Sequence, residues 1–323
     1  MNELLCYVAG DWTPASQAAV PLFDSSVMFG EMVTETLRTF RRRPYRTEDH
    51  LERLRMSMSL ADIRGPSADD LAGLVDELLA RNADAFDPSD EILVKIDVSR
   101  GTYGYYRTPG ADYEDFRVFL HPVCLPFDKF AQLYTVGAQA AFPLTRQVPA
   151  QSIDPRIKHR SRLYQGIAER QADRIAPGAM CLMLDIDGRV AEGTGWNLFI
   201  VKDGALSTPR TDNCLAGISR QVVIELCETL DLSCTETTLW PYDIAAADEA
   251  FATATSFCLL PLTTVHQRMV GDGTVGPVTQ KLLDRWSAEV GIDVIHQAEE
   301  VARRQSMVSD PRVPATRAGR QDV

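Results

Sequence analysis

Two Asp-Gly pairs, Asp187-Gly188 and Asp203-Gly204, sit between apolar runs from Ala179 to Thr208. Such a pair between apolar segments is the strongest short-range hairpin signal, because its backbone twist suits two antiparallel strands. This stretch is therefore expected to form an antiparallel meander. Downstream, Gly217 ends a loop and Ser219 opens the amphipathic stretch SRQVVIELCETL. A helix that starts abruptly after a loop leaves backbone N–H groups unpaired, and such a terminus attracts phosphate.

The first half alternates in a different way. CYVAGDWTP, with a turn at Gly10, and Val33 to Phe40, closed by RRRPYR, read as strands. Leu51, Leu54, Met58 and Ala61 share one helical face. Leu71, Leu74, Val75, Leu78 and Leu79 form a second, behind Ser67 with Asp70 placed for a capped start. Strands follow at Glu91 to Ser99 and Phe116 to Val123. The stretch from Pro122 to Phe130 is the linker candidate, since Pro126 breaks a ladder and helical pattern resumes only after Lys158. The expected organisation is a domain at 1–121, a linker at 122–132, a second domain at 133–295 and a mobile tail at 296–323, whose last residues lose aromatics and apolar periodicity.

Charge and composition exclude several functions. Lys plus Arg number 33 against 45 for Asp plus Glu, a formal charge of −12 that repels phosphate backbones and anionic membranes. The longest apolar runs, such as Ala179 to Leu184, are far short of the ~20 residues that span a bilayer. The start MNELLCYVAGDW has no basic segment followed by an apolar one, so the expected compartment is the cytoplasm. Seven cysteines without a CxxC pair suit reduced core thiols, and five histidines without HExxH or i, i+4 pairing argue against a metal centre. GDGTVG at Gly271 to Gly276 matches a nucleotide-loop pattern, but Pro277 follows and no βαβ unit does, so a hairpin turn is expected there. Asp24-Ser25-Ser26 and His50 lack the GxSxG elbow of a hydrolase.

A nucleophilic amine has few candidates, for there are five lysines. Lys129, Lys202 and Lys281 read as linker, turn and helix-surface residues. Lys95 shares a strand face with Asp97, opposite Ile92, Val94, Ile96 and Val98, and is expected to face solvent. Lys158, in SIDPRIKHRSRLYQ, follows a Pro-stiffened loop, with Arg156, His159 and Arg160 beside it. Neighbouring positive charge lowers an amine's pKa and favours Schiff-base chemistry.

Five segments, in order, carry a resemblance. HLERL at His50 to Leu54, IDPRIK with Tyr164 beyond it, AEGTGWNLFIV, CLAGISR and ATATSFCLLPL resemble the class IV, fold-type IV pyridoxal-phosphate aminotransferases. That group includes branched-chain, D-amino-acid and R-selective amine transaminases and aminodeoxychorismate lyases, and the similarity runs from about Tyr7 to about Gly291. The resemblance implies an α+β fold of two domains, a small α/β domain followed by a larger one with an antiparallel, barrel-like sheet and helices. It implies pyridoxal 5′-phosphate bound through Lys158 and a homodimer with the active site near the subunit interface. Arg53 then resembles the arginine that grips the phosphate, and Glu192 the carboxylate facing the pyridine nitrogen. Leu215 resembles the residue packed on the ring, Ile218, Ser219 and Thr255 the phosphate cup, and Tyr164 a partner of the ring oxygen.

The implied reaction moves an amino group between an amino acid or amine and a 2-oxo acid, with a lyase of the aminodeoxychorismate type as the alternative. For the substrate, Thr36 and Arg38 share strand parity with Thr34, and a cation on that face could meet a carboxylate. Branched-chain enzymes carry an aromatic, Glu, Gly and then Arg on this strand. Here Glu35 and Arg38 match while Thr34 and Thr36 depart. Arg100 continues the parity of Val98, and Arg100-Gly101-Thr102 resembles the RGT of D-amino-acid aminotransferases. Ser256 and Phe257 complete the expected substrate border.

Overall fold

The Asp203-Gly204 pair turns the chain as its sequence requires: both residues have positive φ, 50° and 78°, and Lys202 lies opposite Ala205 across a two-residue turn. The same geometry closes hairpins at Arg41-Arg42 and His266-Gln267, where no glycine announces it. Glu91 helps hold the first of these, accepting the Arg41 N–H at 2.7 Å. A computed structural model provides this architecture and describes residues 3–110 and 115–307.

Six strands form the first sheet, in the spatial order Asp11–Pro14, Leu5–Val8, Arg117–Cys124, Ile92–Ser99, Met32–Phe40, Arg43–Pro44. Every pairing in it is antiparallel. One face buries Val33, Leu37, Val94, Ile96 and Val98 against Leu51 and Leu54 of helix Thr47–Leu60 and Leu71, Val75 and Leu78 of helix Ala68–Arg81. Ser67 and Asp70 form the anticipated capping box. Thr34, Thr36, Arg38, Lys95 and Asp97 occupy the opposite face, because side chains alternate along a strand.

The second sheet follows the order Cys234–Thr237, Ala205–Pro209, Asn197–Lys202, Glu249–Ala254, Cys258–Val265, Ala138–Ala141, Met180–Leu184, Val190–Gly193, with Arg268–Met269 paired to Cys258–Val265. It is mixed rather than antiparallel throughout. Ala205–Pro209 and Cys234–Thr237 run parallel, with helix Ile218–Thr229 between them in sequence, and Ala138–Ala141 runs parallel to both its neighbours. Parallel strands need such crossovers, whereas two-residue turns join only antiparallel ones. The expected meander is therefore two hairpins set apart in the sheet. A single bridge from Gly193 to Trp196 links them, and a Cβ at Gly193 would overlap the Trp196 indole.

Three boundaries differ from expectation. Pro122 to Cys124 extend a strand instead of a linker, with Pro122 opposite Val94. Gly271 to Gly276 make no hairpin turn. They lead into helix Pro277–Val290, whose first N–H groups are taken by the Glu249 carboxylate through Val278 and Thr279. Residues 296–307, assigned to the tail, belong to helix Val294–Met307. Its Ala298 and Val301 are buried, and its Gln305 donates to the Leu125 carbonyl at 2.9 Å. Small apolar residues at helical spacing pack well without aromatics. The remainder of the expected tail lies outside the described residues.

Candidate active site

Lys158 sits on the connection from strand Ala138–Ala141 to helix Leu163–Ile175 and is tied down by backbone contacts. Its carbonyl accepts the Thr34 N–H at 2.9 Å, and its own N–H donates to Ser57 Oγ at 3.1 Å. Arg160 N–H donates to the Met32 carbonyl at 2.9 Å, so the segment lies along the first sheet. Burial pushes the Lys158 ammonium down to about 8. Arg53, Lys95 and Arg162 add to that against the opposing pull of Glu35. At pH 7 roughly a tenth of such amines are neutral.

Arg53 turns inward from helix Thr47–Leu60. It grips Glu35 with two parallel bonds, 2.8 and 2.7 Å, and donates to the Ala216 carbonyl at 3.0 Å. Glu35 is fully buried, and Arg53 and His50 outweigh the cost of burial, holding its carboxyl well below the ordinary range. Ala216 belongs to the loop before helix Ile218–Thr229, where Gly217 is the N-cap and no side chain caps the terminus. A Cβ at Gly217 would overlap Asn197 Oδ1, so only glycine lets the loop approach this closely. The Asn197 amide in turn donates to the Leu215 carbonyl at 2.9 Å.

Across the cavity, Glu192 accepts from Leu215 N–H at 3.0 Å and Gln147 Nε2 at 3.2 Å. Burial raises its carboxyl to about 7 despite these donors and the nearby Lys158. Burial and the Glu192 charge raise the Tyr164 hydroxyl to about 12. The cavity is lined by Lys158, Arg53, Glu192, Tyr164, Leu215, Ile218, Ser219 and Thr255 together. Gln147, His159 and Thr253 also line it, and each carries a buried polar atom, Oε1, Nδ1 and Oγ1 respectively. These three atoms are buried with no hydrogen-bond partner among the described residues.

The substrate residues are placed differently. Arg38 is neither on a solvated edge nor in the cavity lining. It is buried with its guanidinium 4.0 Å from the Phe40 ring centroid, and it donates to the Ser256 carbonyl and Cys258 Sγ, both at 3.1 Å. Cys258, with φ of 61°, ends the turn between Ala254 and Cys258, so Arg38 braces the hairpin that presents Thr255. Ser256 contributes that carbonyl, and Phe257 packs inward on Phe130. Arg100 leaves the apolar face at the strand end. It donates to the Ala61 carbonyl at the end of helix Thr47–Leu60 and lies near Glu31 and Asp62. Thr36 accepts from Lys95 Nζ at 3.2 Å. Lys95 is not a solvent-face lysine. It is half-buried, and burial, helped by Arg160, lowers it to about 8.

Sequence reasoning gave no cavity role to Gln147, Asn197, His159, Arg162 and Thr253; all but Gln147 lie inside quoted segments, which is the signal that could have found them. Among the described residues no cluster of His, Cys, Asp and Glu is placed to hold a metal ion. No helix among them is long and apolar enough to cross a membrane.

The family model for class IV amino-transferases matches residues 32–265, which include strands of both sheets and every residue named in the cavity lining. The chain belongs to this family. Branched-chain-amino-acid aminotransferase-like protein 1 of Arabidopsis thaliana is 30% identical over 287 residues, covering 87% of this chain and 49% of its own. The chain thus spans about half the length of that relative. The branched-chain amino acid aminotransferase of Escherichia coli superposes with a TM-score of 0.80 at 24% identity, covering 90% of this chain and 94% of that one. A second branched-chain amino acid aminotransferase, from T.th. and solved with pyridoxamine 5′-phosphate, gives a TM-score of 0.77 at 23% identity, covering 90% and 95%. These structures share the α/β fold with its two sheets.

Proposed function

We propose that the chain is a transaminase that uses pyridoxal 5′-phosphate to move an amino group between an amino acid or amine and a 2-oxo acid, in the manner of branched-chain enzymes. The observation that carries this reading is one cavity holding a lysine lowered to about 8, a carboxyl raised to about 7 and an uncapped helix N-terminus. The fit of the residues supports the cofactor. Three residues of the lining carry buried polar atoms without partners among the described residues, and glycine at 217 keeps the cup open. Pyridoxal phosphate, when bound, supplies an electron-poor ring that takes up the electron pair left by the departing α-proton.

In this reading Arg53, the hydroxyls of Ser219 and Thr255, and the N–H groups of Ile218 and Ser219 hold the phosphate. Glu192 faces the ring nitrogen and keeps it protonated, an ion pair that returns this carboxyl to its charged form. Leu215 packs on the ring face, and the Tyr164 hydroxyl meets the ring oxygen. Lys158 is the amine that bonds to the cofactor and, once free, moves the proton at the substrate α-carbon. Its lowered pKa suits both roles.

The experiment is the absorption spectrum of the protein with cofactor, recorded as L-amino acids, D-amino acids and R-amines are added singly. Bleaching of the bound-cofactor band by one donor class identifies the half-reaction. A band that no donor bleaches moves the assignment to the lyase, tested with aminodeoxychorismate, and no band at all removes Lys158 from its role. We also propose a homodimer. Leu22, Phe23, Val27, Phe29 and Tyr105 leave large apolar surface exposed, which favours a protein partner. Light scattering at micromolar concentration should return twice the chain mass.

A further inference from the structure

Arg46 lies outside the cavity lining, yet it ties together the two helices that carry the proposed phosphate ligands. It is the N-cap of helix Thr47–Leu60, in the left-handed region at φ 55°, and makes no side-chain capping bond. Its guanidinium reaches out of that helix instead and binds Glu225 in helix Ile218–Thr229. Arg53, about two turns further along the first helix, donates to the Ala216 carbonyl at 3.0 Å, just ahead of the second. The earlier arginine meets the later residue, so the two helices are pinned at both ends of a span of about 10 Å. Arg46 also lies 3.7 Å from Glu289 of helix Pro277–Val290, and the Tyr45 hydroxyl donates to that same carboxylate at 2.7 Å. Gln221, one turn nearer the cup, donates to Glu225 at 3.3 Å and orients it.

The proposed phosphate site has two halves from distant parts of the chain, the Arg53 guanidinium and the helix start at Ile218 and Ser219. A phosphate bonded to both feels their separation, because charge-assisted hydrogen bonds are made over a narrow range near ~2.8 Å. Arg53 does not set that separation alone. Its two bonds to Glu35 fix it to the first sheet, and one bond to a carbonyl joins it to the cup. We infer that Arg46 is a positioning residue for the phosphate, holding the cup helix at the distance Arg53 requires by gripping Glu225; this rests on the cofactor reading of the cavity. An isolated ion pair at the surface contributes little. Here one guanidinium faces carboxylates on two separate helices, and the side chains of Arg46, Glu225 and Glu289 are only 28%, 36% and 30% exposed. The planar fork of arginine can serve both carboxylates at once, which a lysine cannot.

The test measures binding of pyridoxal 5′-phosphate, pyridoxal and inorganic phosphate to the cofactor-free full chain by calorimetry. The wild type is compared with Arg46→Gln, Glu225→Gln and the double variant. Arg46→Gln should weaken both phosphate-bearing ligands about three- to tenfold and leave pyridoxal, which has no phosphate, within about twofold. The double variant should match Arg46→Gln, since the two side chains act through one contact. A general loosening of the fold would weaken all three ligands alike, and that result would overturn the inference, as would additive losses in the double variant. Phosphate affinities in Arg46→Gln equal to those of the wild type would overturn it while leaving the cup in place. A wild type that binds pyridoxal 5′-phosphate no more tightly than pyridoxal, and inorganic phosphate not at all, would remove the cup and this inference with it.

Discussion

The two sheets border the same cavity but furnish it by different means. The nine-stranded sheet works through strand ends and connections: Glu192 near a strand end, Leu215 to Ser219 in a loop and helix start, Thr253 to Thr255 at a hairpin. Each is a contiguous run of chain. The six-stranded sheet works through a face that places Thr34 in the lining, and there Thr36, Lys95, Asp97 and His121 come from three strands and meet only through their register. A connection carries its chemistry in consecutive residues, while a face assembles it from distant ones.

Removing the residue that both regions surround should have the largest effect. Lys158→Ala should lower amino-group transfer by on the order of 10³-fold or more while phosphate binding persists, measured by donor-dependent absorbance change and by phosphate titration. An unchanged rate would break the assignment. Next is the link between the regions. Arg53→Met leaves the buried Glu35 carboxylate with the Thr36 N–H and His50 but without its guanidinium, and should cost about 3 kcal/mol or more, read from urea unfolding at pH 7. Because the folded carboxyl of Glu35 is held low, its stabilisation is present above the ordinary pKa near ~4.3 and is lost as pH falls below it. The variant should show less of this acid sensitivity than the wild type.

Glu192 behaves in the opposite sense. With its carboxyl raised to about 7 in the ligand-free protein, it contributes stability that is full below pH ~4.5 and fades as pH rises through 7, a change of about 3 kcal/mol. Glu192→Gln should flatten that part of the pH–stability curve, and an identical slope in both proteins would place this side chain in water. The smallest effect belongs to the far side of the first sheet, where Ser67→Ala removes a capping box. It should cost about 1 kcal/mol in thermal unfolding without altering transfer.

Legibility follows the same division. Lys158, Glu192 and the 215–219 cup are readable because short segments carry them, and the cup has a physical signal of its own in the abrupt helix start. The Arg41-Arg42 and His266-Gln267 hairpins are not readable as two-residue turns, since non-glycine residues there adopt positive φ under tertiary constraint. Lys95 departs from its expected exposure for a related reason. Alternation along its strand correctly sets it opposite Val94 and Ile96, but on that face Arg160 reaches across to Asp97 beside it, and Lys95 is half-buried instead of solvated. Arg38 and Arg100 carry plausible charge, yet each is fixed by a carbonyl from a distant segment, Ser256 in one case and Ala61 in the other.

By itself the sequence determined the Asp203-Gly204 turn, the capped helix after Ser67, the small choice of lysines and the ordered motifs of the family. These depend on backbone preferences and on residues a few positions apart. Tertiary structure decided that the two central hairpins separate, that helix Val294–Met307 packs where a tail was expected, and that Arg53 turns inward to Glu35. Pairing energies of buried charges depend on burial and on partners brought from far along the chain, and those are defined only once the strands have found their register.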